Sequence, residues 1–211
     1  MTHEPMRLTV YDFDTSIAQL TLGSAGIRFI YAVDGTVRVL SANGDADLQV
    51  DEGYLFDCSA RLQGTGWLFD LTERGAPLLG GEAIAPVLSH IVEPDFEGPW
   101  LFRADRVSSD SGAQTPLHGH RGPGIRRLAK GRILATIGDN LERIEAGQAW
   151  FETGNDWVIG ENISKGENVF VRVMLLPSEL KGGLSSFVPA TVEESTRPRS
   201  VKYRIFGELI V

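Results

Sequence analysis

The chain has 211 residues, of which 42% are hydrophobic and 23% charged, with a formal net charge of −8. This is an ordinary balance for a globular protein with a substantial core, and its acidity argues against nucleic acid or an anionic membrane as the main partner. No apolar run approaches the roughly 20 residues that span a bilayer, and no basic region followed by an apolar stretch marks a signal peptide. Cys58 is the single cysteine, which excludes an intrachain disulfide and leads to the expectation of a cytoplasmic protein.

Short alternating, β-branched runs predict strands at residues 7–10 and 17–22. Residues 26–33 and 36–40 flank Asp34-Gly35 and read as a hairpin, because glycine takes positive φ without steric cost. Residues 46–50 alternate, Asp51-Glu52-Gly53 turns, and 54–56 continue extended; Gly64-Thr65-Gly66 then leads into a strand at 67–72. Many short strands at close spacing, with no convincing long amphipathic helix, predict an all-β sandwich or barrel.

Residues 74–86 gather Gly75, Pro77, Gly80, Gly81 and Pro86 among small side chains, so a domain boundary is expected there, with domains at 1–80 and 81–211. Strands follow at 87–92 and 100–107, separated by a Pro/Gly turn at 94–99. The first half then recurs. Residues 125–134 have the shape of the Asp34-Gly35 hairpin, 144–151 match 50–56, and 169–176 match 67–71. Turn glycine to turn glycine, the spacing is 18 residues from Gly35 to Gly53 and 16 from Gly131 to Gly147, which suggests a duplicated β unit. Pro177 stops the last of these strands, 189–200 reads as a loop or arm, and 201–206 closes with a strand able to pair within the chain or with a second subunit.

His118-Gly119-His120 carries two of the four histidines. On a strand the spacing puts both imidazoles on one face. Such a pair can start a metal site or be two polar groups on a strand surface. Trp150 and Trp157 are assigned to core and rim, with either able to line a pocket, and His90 to an apolar strand from which it could add an imidazole.

Taken together, His118-Gly119-His120, the turn glycine Gly131 and the following Gly147 resemble the cupin superfamily, in its two-domain bicupin form. The resemblance implies two cupin-type jelly-roll barrels in tandem, a degenerate one first and a second holding the site. The sequence departs from the family pattern at several places. Gly124 stands where the first motif has Glu. Thr153, Asn155 and Val158 stand where the second has Pro, Gly and His, while its Asn is kept as Asn162. In the first half the histidine positions are Leu22 and Ser24.

On this resemblance His118 and His120 would hold a divalent Fe, Mn, Ni or Zn, with Glu152 the leading carboxylate to join them and Asp105 and Glu161 further candidates. Arg126, two residues beyond Gly124, should point inward and need an anionic partner; Glu152 and a substrate carboxylate are both open. Arg127 should face out, and Gly124 should leave room for a bulky ligand. The function expected is binding of a small anionic molecule in the second barrel. It stays open between a metal-dependent dioxygenase, isomerase or lyase and a metal-free binding or structural cupin. A homodimer is expected through edge strands.

Overall fold

The computed structural model describes residues 4–93 and 96–211. These fall into two compact units, 4–93 and 96–211.

The first unit has seven strands, β1 (Met6–Asp14), β2 (Leu20–Leu22), β3 (Ile27–Ser41), β4 (Gly44–Leu48), β5 (Gly53–Phe56), β6 (Ala60–Glu73) and β7 (Ile84–Val92). They form one antiparallel sheet in the order β4-β3-β6-β1-β7, with β5 also on β3 and β2 also on β6. Two expectations change here. Asp34-Gly35 does not close a hairpin: β3 runs straight through it, and both flanks pair with β6 across register shifts. Gly35 does take φ of 62°, but turn chemistry specifies only a bend. The 14-residue β6 offers a partner on both sides, so the flanks need not pair with each other. The expected boundary at 80/81 also moves. β7 pairs with β1 from Met6↔Val92 to Phe13↔Ile84, so the Gly/Pro-rich stretch is a connection inside the first unit and the break follows Glu93.

The interior of this unit is filled by apolar side chains, among them Tyr11, Phe13, Leu20, Leu22, Ile30 and Leu62. Leu22, at a position matched to a histidine of the second half, is fully buried in that core. Arg28 and Asp70, opposite one another on β3 and β6, form a buried ion pair at 3.1 Å. Arg28 also donates to the carbonyls of Gly23 and Ala25.

The second unit has ten strands, β8 (Trp100–Ser109), β9 (His118–His120), β10 (Gly124–Lys130), β11 (Arg132–Ile137), β12 (Asn140–Glu145), β13 (Ala149–Glu152), β14 (Val158–Asn162), β15 (Asn168–Pro177), β16 (Phe187–Pro189) and β17 (Lys202–Ile210). They make two five-stranded antiparallel sheets, β13-β10-β15-β8-β17 and β12-β11-β14-β9-β16. Gly131, at φ of 87°, is not a hairpin turn either. It carries the chain from β10 in one sheet to β11 in the other. The stretch read as an arm, 189–200, starts where β16 ends and holds a one-turn helix, Val192–Thr196, capped by the Thr191 side chain.

The same succession of partners recurs in the two units. The pairing β5-β3-β6-β1-β7 matches β13-β10-β15-β8-β17, and β2 on β6 matches β9 on β14. The long strands β3 and β6 each do in one piece what two strands do in the second unit. The glycine spacings of 18 and 16 residues run parallel to this shared order of pairing.

Candidate functional site

In the first sheet of the second unit, residues opposite one another across strands share a face. Trp150, Arg126, Arg172 and Asp105 form one such row across β13, β10, β15 and β8, and all four line a cavity of about 140 Å³. Glu152, Gly124, Met174 and Arg103 form the next row on that face. The second sheet closes the cavity with His118 and His120 from β9, Ile133 and Ala135 from β11, and Val158 from β14. Val158, at the place of a family histidine, pairs directly with His118 and gives that wall an apolar side chain.

Arg126 and Arg172 are directly opposite, an arrangement that repels unless neutralised. Two carboxylates supply the balance. Asp105 takes Arg172 in a two-pronged pair at 2.6 and 3.2 Å, and Glu152 takes Arg126 at 2.7 Å. The Arg126 side chain is 1% exposed and Glu152 7%. Glu152 is held further by Trp150, whose Nε1 donates to Oε1 at 2.9 Å, while Nη1 of Arg126 donates to the Gly124 carbonyl at 2.6 Å. Burial lowers the Arg126 pKa to about 10 against the opposing pull of Glu152, so the guanidinium stays charged at neutral pH. Arg103 is paired as well, with Nε donating to Glu208 at 2.7 Å.

The two imidazoles meet edge to face with centroids 4.9 Å apart. Nδ1 of His118 lies 2.8 Å from the Pro116 carbonyl. A carbonyl only accepts, so Nδ1 carries the proton and Nε2 keeps its lone pair. The ring stacks on Phe187 at 4.5 Å. Nε2 of His120 lies 3.5 Å from Oε2 of Glu152, and its Nδ1 is buried with no hydrogen-bond partner among the described residues. Burial pushes both histidines below their ordinary pKa, His120 the further, with Arg126 adding to its shift. Both rings are neutral at pH 7.

As arranged, these residues bring two imidazoles to a divalent metal and no carboxylate that is not already in an ion pair. Glu152, the expected third ligand, accepts at Oε1 from Trp150 and sets Oε2 in an ion pair with Arg126 at 2.7 Å, without a hydrogen bond to that oxygen among the described residues, and Arg126 places a permanent cation beside the histidines. Among the described residues no group of three or more His, Cys, Asp or Glu side chains is placed to hold a metal ion.

Several expectations change in detail. Arg126 faces inward as expected and has Glu152 as its partner. Gly124 leaves no spare room: a Cβ there would sit 2.3 Å from the Val173 carbonyl oxygen and 3.0 Å from the Met174 Cα. The glycine is required by close packing of β10 on β15. Arg127 is buried, not exposed, and its Nε donates to the Gly147 carbonyl at 3.0 Å. Of the further carboxylates, Asp105 reaches the cavity and Glu161 does not, and His90 lies on β7 of the first unit. Trp150 is buried and lines the cavity, while Trp157 is 46% exposed and does not. Asn162 donates to the carbonyls of Ser109, Asp110 and Gly166, so it is retained as a clamp on two loops. The sequence reading missed Arg172, Phe187 and Arg199. For Arg172 the signal was a charge inside the apolar run of β15.

No protein-family model matches the sequence, and no curated protein matches it. Solved structures do. AerE from Microcystis aeruginosa superposes with a TM-score of 0.56 at 15% identity, over 82% of this chain and 87% of that one. A cupin 2 conserved barrel domain protein from Leptotrichia buccalis gives 0.53 at 10% identity, over 83% and 86%. The chain has a cupin fold. Oxalate decarboxylase from Bacillus subtilis, in a structure concerned with its Mn(II) centres, gives 0.52 at 12% identity, over 82% of this chain and 67% of that one. At these identities the likeness is one of cupin architecture.

Proposed function

We propose that the second unit is a binding chamber for a small organic anion, and that it works without a resident metal. The observation that carries this reading is the charge around the cavity: four arginines, Arg103, Arg126, Arg172 and Arg199, against two carboxylates, Asp105 and Glu152. Glu208 neutralises Arg103 from beside the lining, which still leaves one positive charge, in a protein whose overall charge is −8. That charge draws an anion toward the cavity. The neutral His118 offers Nε2 as an acceptor for a ligand hydroxyl or amide, so the ligand meets both a cation and a directional hydrogen bond. The reading is one of binding and assigns no bond-making step.

Titration of the purified protein with a panel of small carboxylates, followed by calorimetry and by the His118 ring resonances, tests it. Saturable binding that shifts those resonances and weakens in His118→Ala supports the reading; absence of binding by every member overturns it.

A second reading is favoured by the side-by-side histidines and by the likeness to a decarboxylase with Mn(II) centres. In it His118 and His120 hold a divalent transition metal and the anion is a substrate. Elemental analysis of protein purified without chelator separates the two. A near-stoichiometric metal that is lost in His118→Ala/His120→Ala replaces the first reading with the second.

A further inference from the structure

We propose that Arg199 is the residue that recognises the ligand's charge, and that the ligand is a monocarboxylate whose apolar body is no larger than about one six-membered ring. This rests on the reading of the second unit as an anion-binding chamber. Of the four arginines around the cavity, Arg126, Arg172 and Arg103 are each bonded to an acid at 2.6–2.7 Å. Arg199 is different. Its Nη1 donates to the Ser185 hydroxyl at 3.0 Å and its guanidinium lies over the Phe187 ring at 4.2 Å; no carboxylate is paired with it among the described residues.

Placement agrees with this role. Arg199 is exposed, on the segment between the short helix and β17, yet it lines the cavity. An exposed guanidinium stays hydrated and charged at little cost, and its planar fork can take a carboxylate through two parallel hydrogen bonds. It also tops a stack: guanidinium on Phe187, and Phe187 on His118 at an interplanar angle of 14°. The stacked edges of these groups run from Arg199 to His118. A ligand with its carboxylate at Arg199 would lay its body along this stack and reach Nε2 of His118.

The interior sets size and charge. A volume of about 140 Å³ is close to the roughly 150 Å³ of an apolar cavity that accepts benzene. Ile133, Ala135, Val158 and Trp150 supply apolar surface for such a body. A second carboxylate on the ligand would enter a region whose arginines are already matched by Glu152 and Asp105, and burying it there without a free cation is costly. The chamber therefore selects one negative charge, held at the mouth.

The test uses the whole chain and three probes, benzoate, benzyl alcohol and succinate, with affinities measured by calorimetry. Benzoate is expected to bind the unaltered protein, at least tenfold more weakly in Arg199→Ala, with partial recovery in Arg199→Lys. Ala135→Phe, which fills the cavity, should abolish binding. Benzyl alcohol, if bound, should be indifferent to Arg199→Ala. Benzoate affinity within twofold of the unaltered protein in Arg199→Ala overturns the assignment of Arg199 and leaves the chamber standing. Succinate bound in preference to benzoate overturns the monocarboxylate class and again leaves the chamber standing. Binding of none of the three to the unaltered protein overturns the inference together with the reading it rests on.

Discussion

Nη2 of Arg126 lies 2.7 Å from Oε2 of Glu152, with the two side chains 1% and 7% exposed. A pair so buried is bound to its own completeness. Removing one partner strands a charge in a low-dielectric interior, at a typical cost of about 3–5 kcal/mol, whereas replacing both by apolar groups of similar volume is often nearly neutral. Glu152→Met is expected to destabilise the fold by that amount, and Arg126→Met/Glu152→Met by less than Glu152→Met alone. Guanidinium denaturation of the two variants checks this. A single variant costing under about 1 kcal/mol would show that the charges are not sealed from water.

Gly124 cannot be converted back to the glutamate that the cupin pattern carries. Even a methyl group at Cβ meets the Val173 carbonyl at 2.3 Å, and backbone does not yield as a side-chain tip does. Gly124→Ala is expected to lower stability by about 1–3 kcal/mol, the usual range for overpacking, with the thermal midpoint as readout. An unchanged midpoint in Gly124→Ala would mean that β10 and β15 can separate freely.

The histidines set one pH dependence. Both have folded pKa values depressed below about 6.5 by burial, whereas the unfolded chain protonates them near about 6.5. Below that pH the unfolded state binds more protons, so stability falls as pH falls. Denaturation between pH 5 and 7 should show a shallower fall in His120→Gln than in the unaltered protein. The His120 ring carbon shifts should read neutral at pH 6; a ring charged at that pH contradicts the geometry of its pocket.

Asp70 acts with the opposite sign in the first unit. Desolvation raises its pKa to about 6 despite the opposing Arg28, so between about pH 4 and 6 the folded state holds the extra proton. This contribution to stability grows as pH falls through about 6. Asp70→Asn is expected to remove that gain, seen as a steeper loss of stability on acidification than in the unaltered protein. Parallel curves would place Asp70 in contact with solvent.

Alternation made part of the site legible before any coordinates. Two histidines at i and i+2 must share a face, and an arginine two residues beyond Gly124 must share its face. Nothing so local could pair Arg126 with Glu152, which lie 26 residues apart, or Asp105 with Arg172, which lie 67 apart. Those partnerships depend on which strand lies beside which. The same gap explains the two hairpins that did not form. Asp34-Gly35 and Gly131 announce a change of direction, but whether the flanks pair with each other or leave for other strands is decided by β6 in one unit and by the split into two sheets in the other. Arg199 was hidden for a further reason: it sits in a polar stretch where an arginine is unremarkable until Phe187 is seen beneath it.

The packed core of the first unit and the lined chamber of the second differ in their freedom to change. In the first unit, shortening Leu22 or Ile30, both fully buried, would open a void in packed hydrocarbon, a change of the kind that costs about 2–5 kcal/mol. In the second, Ala135, Val158 and Leu184 border space already open, so exchanging them alters the shape of the chamber with little new void to create. Substitutions that reshape the chamber of the second unit thus cost less than those that hollow the core of the first.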